Sequence, residues 1–161
     1  MEPDEVDMIV EAWQRELPGT DLSPMQVLSR INRVSHHLDR ARKAAFAAHD
    51  VEPWEFDVLS ALRRSGTPYR LSPGRLVAET MVTSGTMTNR VDRLVERGLV
   101  ERSADPTDRR GVLVSLTQQG RSTVDAALEE LLAQERAILS ALAPEEAQHL
   151  ADTLRELARN V

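Results

Sequence analysis

Between Leu71 and Arg121 the hydrophobic period of this chain changes twice, and few folds accommodate that in so short a span. Ser72 followed by Pro73 reads as a helix N-cap with proline at the first helical position, and Leu76, Val77 and Ala78 supply a short apolar stripe. Thr83 and Ser84 cap the next segment, where Met87, Val91, Leu94 and Val95 recur at helical spacing until Arg97-Gly98. Beyond Gly98 the pattern alternates. Leu99, Val100 and Arg102 lead into a turn rich in Pro, Gly and Asp, Ala104 to Gly111, and Val112, Leu113, Val114 and Leu116 lead out of it. Thr117 then opens another helix. The order helix, helix, hairpin, helix predicts a mainly α fold with a small β-hairpin wing, a winged helix-turn-helix.

The second short helix is polar where it begins. Ser84, Thr86, Thr88 and Asn89 occupy the end that a recognition helix presents to the major groove, and short hydroxyl and amide groups there can reach base edges and phosphates. Arg93 is counted with them. At the hairpin tip Arg109 and Arg110 are adjacent, placed to cross a DNA backbone or enter a minor groove. The alternative is that these two are solvated charges paired with Asp105 or Asp108. The expected partner is double-stranded DNA.

The run Asp105-Pro106-x-Asp108-Arg109-Arg110, followed by Val114-Ser115-Leu116-Thr117-x-x-Gly120-Arg121, resembles the MarR family of bacterial transcriptional regulators. Three further features resemble its PecS/HucR/UrtR urate-responsive subgroup: an N-terminal helix carrying Trp13, the segment Asp21 to Met25, and Glu55 to Leu59 with Pro68 to Pro73. The resemblance implies a homodimeric repressor on a palindromic operator, released by urate or a related purine. It also matches Trp13, Asp57, Arg90 and Arg102 to ligand-binding positions. The stretch Leu17 to Asp21 is longer than the subgroup's spacing after the tryptophan.

The residues themselves offer a reason for such a site. Arg90, three after Met87 and four before Leu94, is expected on the inward face of its helix, where a guanidinium needs an anionic partner. Asp57, on the inward flank of the helix before the two short ones, is the candidate partner, and Trp13 offers a flat apolar face. Together they would suit a planar anionic heterocycle. The alternative is an internal Asp57 to Arg90 salt bridge, with Trp13 in a dimer core.

At 161 residues the chain is expected to be a single domain, 1–161, with residues 53–116 as the winged DNA-binding region. Residues 1–50 and 117–161 are read as a helical dimerisation region. Helices are expected from Asp4 to Leu17, after Ser23-Pro24, from Pro53 to Arg64, after Thr117 and from Pro144. The terminal segments hold more leucine than a small winged domain can cover, which predicts a dimer interface, the alternative being a bundle within the one chain. No apolar run approaches the ~18 residues of a membrane span, and the acidic start lacks a basic leader region, so cytoplasm is expected.

Cysteine is absent, which excludes thiolate redox sensing and Cys-based metal sites. His36, His37, His49 and His149 show no metal-ligand spacing, so neither metal nor cofactor is expected. His36 and His37 are read as solvated, or as a pH-tuning element of the dimer. No acid/base pair, activated nucleophile or phosphate loop stands out, which argues against an enzyme. The remaining alternatives are a helical protein-interaction module without DNA binding, or a related regulator answering to phenolic or other metabolites. The net charge of -6 is unevenly placed. Residues 30–120 carry 15 basic and 11 acidic side chains, whereas both ends are acidic. Only the central block keeps a positive footprint for DNA.

Overall fold

A computed structural model describes residues 2–108 and 111–159, in two compact units that divide between Ala41 and Arg42. In the first unit, α1 (Glu5–Glu16) starts at Asp4, whose carboxylate accepts the N–H groups of Val6 and Asp7 at 2.8 and 3.0 Å. Asp7 returns the bond to the Asp4 N–H at 2.9 Å, closing a reciprocal cap. Arg30, on α2 (Ser23–Ala47), binds Asp4 and Asp7, each at 2.8 Å. Arg30 and the first-turn amides hold the Asp4 carboxyl below its ordinary range. Any stability gained from that contact is present at neutral pH and lost as the pH falls through the lowered value.

The second unit contains α3 (Pro53–Arg64), β1 (Arg70–Leu71), α4 (Pro73–Thr80), α5 (Ser84–Glu96), β2 (Val100–Ala104), β3 (Val112–Leu116), α6 (Gln118–Leu139) and α7 (Pro144–Ala158). The strands form an antiparallel sheet in the order β1-β3-β2, with Val100 opposite Leu116 and Ala104 opposite Val112. The expected hairpin is therefore present. Sequence periodicity does not reveal β1, which pairs Arg70 with Ser115 and Leu71 with Val114. Two residues are too few to display a strand period.

One core unites most of these elements. Leu59 and Leu62 of α3, Leu76 of α4, Met87, Val91 and Leu94 of α5, Val100 and Val114 of the sheet, and Val124 and Leu131 of α6 are all buried in it. Phe46 stacks on Phe56 with ring centroids 4.2 Å apart. The caps read from sequence are made. Ser72 accepts the Arg75 N–H at 3.3 Å, Thr83 that of Thr86 at 3.3 Å, and Thr117 that of Gly120 at 3.0 Å.

The Leu116-Thr117-x-x-Gly120 segment now has a structural reason. Gly98, at φ +68°, turns the chain out of α5. The Thr117 hydroxyl donates to the Gly98 carbonyl at 2.7 Å, and the Thr117 N–H donates to that of Leu99 at 3.2 Å. Gly120 completes the joint, because a Cβ there would lie 1.9 Å from the Leu99 carbonyl oxygen. At the wing tip the Asp105 N–H donates to the Gly111 carbonyl at 2.9 Å, and the Asp105 carboxylate accepts both the N–H and hydroxyl of Thr107. Arg109 and Arg110 lie outside the described residues.

Along α6 and α7 most of the leucines read as surplus remain partly exposed in the single chain, Leu131 being the buried exception. Leu128, Leu132, Leu139, Leu150, Leu154 and Leu157 are each 39–47% exposed. The joint at Gly120 yields a sharp expectation. Gly120→Ala should lower unfolding free energy by about 1–3 kcal/mol, because the new methyl meets backbone. Gly74→Ala has open space around it and should be neutral or stabilising by up to about 1 kcal/mol. Urea denaturation of the two variants checks the contrast.

Candidate nucleic-acid interface

The N-terminal half of α5 separates its faces cleanly. Met87, Val91 and Leu94 are buried, whereas Ser84, Thr86, Thr88 and Asn89 are exposed. The cap holds this end in shape: the Thr83 and Thr86 hydroxyls are 2.9 Å apart, and Thr88 bonds back to the Ser84 carbonyl at 3.1 Å. Asn89 lies exposed on the same outer surface, free of the packing that engages Met87.

Arg90 is half-buried, but its neighbour is not the one expected. Its guanidinium lies 5.5 Å from the centroid of the Trp54 ring, and that of Arg93 lies 4.7 Å from the same ring. The expected Asp57 to Arg90 pair is not formed among the described residues. Asp57 is exposed and faces Arg42 at 3.8 Å. The reason is helical geometry: Glu55, Phe56, Val58 and Leu59 take the buried side of α3, which leaves Asp57 on the outer side. Arg102, on β2, binds Asp92 of α5 at 2.5 Å and so ties the wing to the recognition helix. Trp13 lies on α1 in the first unit and is 47% exposed.

Sequence reasoning missed Trp54 and the carboxylate beside it. Glu52 accepts the Trp54 indole N–H and lies 3.5 Å from Arg93. Trp54, Gly85, Thr86, Asn89, Arg90 and Arg93 line an open cavity of about 470 Å³. A tryptophan beside two arginines spaced i, i+3 on a recognition-type helix was the available signal, but it is split across 36 residues of sequence.

The other end of α5 is anchored by a pair that periodicity could not reveal. Glu55 is 1% exposed, and its carboxylate accepts Arg97 Nη1 at 2.6 Å and the Glu52 N–H at 2.9 Å. Arg97 Nη2 donates to the Asp50 carbonyl at 2.6 Å and carboxylate at 2.8 Å. Hydrogen bonding to Glu55, and then the charges of Glu55 and Asp50, raise the Arg97 pKa against the opposing effect of burial. Among the described residues no cluster of His, Asp and Glu could hold a metal ion, and no helix is long and apolar enough to cross a membrane.

A wing tied to a capped helix with a polar outer turn is the architecture of a winged helix-turn-helix, a class of DNA-binding proteins. The comparisons with known proteins agree. A model described as the MarR family matches residues 49–111. The transcriptional regulator PecS of Dickeya dadantii is 38% identical over 157 residues, covering 98% of this chain and 95% of that protein. The repressor NicR of Pseudomonas putida is 33% identical over 110 residues, 66% of this chain and 68% of its own. Among solved structures, a mutant MarR from E. coli complexed with operator DNA has a TM-score of 0.67 at 30% identity, over 86% of this chain and 99% of that one. The chain belongs to the MarR family.

The anchor at Arg97 is testable apart from DNA. Arg97→Met leaves the Glu55 carboxylate buried without its cation. Breaking a fully buried pair this way costs about 3–5 kcal/mol. Because the Arg97 side chain is 34% exposed, water screens part of the loss and we expect about 2 kcal/mol. Chemical denaturation of Arg97→Met measures it, and Arg63→Met, whose pair with Asp125 is exposed, should lose clearly less stability than Arg97→Met.

Proposed function

We propose that this regulator is a repressor that binds a near-palindromic operator as a homodimer and leaves it when urate or a related anionic aromatic compound binds. The observation that carries the reading is the outer face of α5, where Ser84, Thr86, Thr88 and Asn89 are exposed above a buried Met87. Thr88 and Asn89 read base edges, Ser84, Thr86 and Arg93 contact the backbone beside them, and Arg109 and Arg110 of the wing bind phosphates or the minor groove. The repressor assignment is supported by the likeness to NicR, named as a repressor, and to a structure solved with operator DNA.

The exposed leucines of α6 and α7 support the dimer, with residues 1–50 and 117–161 as its contact region. Two-fold symmetry would set two recognition helices on half-sites about one helical turn apart.

For the effector we retain Trp13, Asp57, Arg90 and Arg102 as proposed ligand residues, each to be tested by its own variant. Arg90 rests on an aromatic ring, and among the described residues no carboxylate pairs with it. Arg102 supplies a route to the DNA-binding surface. A ligand anion that takes its guanidinium from Asp92 releases the wing from α5. A coupling of about 1–3 kcal/mol between the two sites would weaken operator binding roughly 5- to 150-fold.

Operator duplexes selected from a random DNA pool, then titrated with and without urate, test both levels. Thr88→Ala and Asn89→Ala should lose discrimination between selected and random DNA, by about 1–3 kcal/mol where a base contact is removed. Equal loss on both DNAs would show that these residues do not read sequence. Arg102→Ala breaks the same tie to Asp92, so it should bind the operator more weakly than the wild type, as the liganded protein does, and show no further response to urate. A wild-type protein that stays bound in millimolar urate rules out this effector and leaves the repressor reading intact.

A further inference from the structure

The cluster around Trp54 is not used by the base contacts proposed above, and its geometry and charge agree on a role. Arg90 and Arg93 share one side of α5, with both guanidiniums over the same indole at 5.5 and 4.7 Å. Two like charges on one ring repel each other, and the negative face of the indole offsets only part of that repulsion. Glu52 is the one carboxylate paired with either arginine among the described residues, at 3.5 Å from Arg93. It also accepts the Trp54 indole N–H, so one carboxylate holds both the ring and one of the arginines. The cluster keeps an excess of positive charge, and it faces an open cavity of about 470 Å³ whose other walls are Gly85, Thr86 and Asn89.

We propose that Trp54 is a positioning residue that holds Arg90 and Arg93 as a two-pronged clamp for a backbone phosphate of DNA, with Glu52 occupying the clamp until DNA arrives. The proposal rests on the DNA-binding reading and adds a positioning residue outside the recognition helix. A rigid ring under two flexible side chains orders them in advance, so less freedom is lost when the phosphate binds. The phosphate, an acceptor suited to guanidinium geometry, then replaces Glu52 beside Arg93. An effector that captured Arg90 would remove one prong.

The test measures binding of a random-sequence DNA duplex by fluorescence anisotropy at two salt concentrations, for the full-length wild type, Trp54→Ala, Trp54→Phe and Glu52→Gln. Neutralising one phosphate fewer flattens the log–log salt slope by about 0.9, or roughly 3.5-fold in affinity over a fourfold rise in salt. Trp54→Ala should flatten the slope by up to one such step. Trp54→Phe keeps an aromatic face and should recover most of it. Glu52→Gln should bind more tightly at both salt concentrations, because the competing carboxylate is gone. A folded Trp54→Ala with the wild-type slope overturns the proposal, as does Trp54→Phe behaving like Trp54→Ala. If Trp54→Ala fails to fold, Glu52→Gln decides, and unchanged or weaker binding overturns the proposal. Absence of salt-dependent binding by the wild type would instead overturn the DNA-binding reading on which the proposal rests.

Discussion

A buried carboxylate meets an arginine where the recognition helix ends, and the presentation of that helix depends on the contact. Glu55 would be costly to bury alone, yet it receives Arg97 and a backbone N–H, while Arg97 also reaches the Asp50 carbonyl. The start of α3 and the end of α5 are therefore joined by charge, and Leu59, Leu62 and Leu94 of the two helices belong to one buried core. Two further ties act on the same helix. Arg102 reaches Asp92 from the wing, and the Thr117 and Gly120 joint packs against the backbone that follows α5. With its C-terminal end held, α5 can leave its N-terminal turn polar and exposed.

Electrostatics in this region serve two purposes that compete. The central block needs positive charge to meet DNA, but most of its arginines in the described residues are already engaged. Arg42 faces Asp57, Arg63 binds Asp125, Arg97 binds Glu55, and Arg102 binds Asp92. These pairs hold elements together and add little net field. The acidic chain ends set the overall charge of -6, which favours solubility.

Most of the fold was legible because its punctuation is local. Ser72-Pro73, Thr83-Ser84 and Thr117 announce helix starts within one turn, and Gly98 marks a stop where the chain must adopt positive φ. The wing followed from alternation. What escaped depends on contacts distant in sequence. β1 is too short to show a period, and its existence is decided by the free edge of β3. The expected Asp57 to Arg90 pair rested on placing both side chains inward. Asp57 sits on the outer side of α3, and the indole of Trp54 provides the surface on which Arg90 lies. Glu55 and Arg97 are 42 residues apart, so no local pattern in either helix announces the pair. The candidate DNA face was thus readable from one segment, whereas the residues that support it had to be seen in three dimensions.

Whether an outward-facing α5, repeated by two-fold symmetry, binds DNA can be decided by hydroxyl-radical footprinting on a duplex carrying the selected operator, since the cleavage pattern records where protein covers the backbone. We expect two symmetric protected patches centred about one helical turn, roughly 10 base pairs, apart. A single asymmetric patch would contradict the dimeric arrangement, and uniform cleavage at saturating protein would contradict DNA binding by α5 itself.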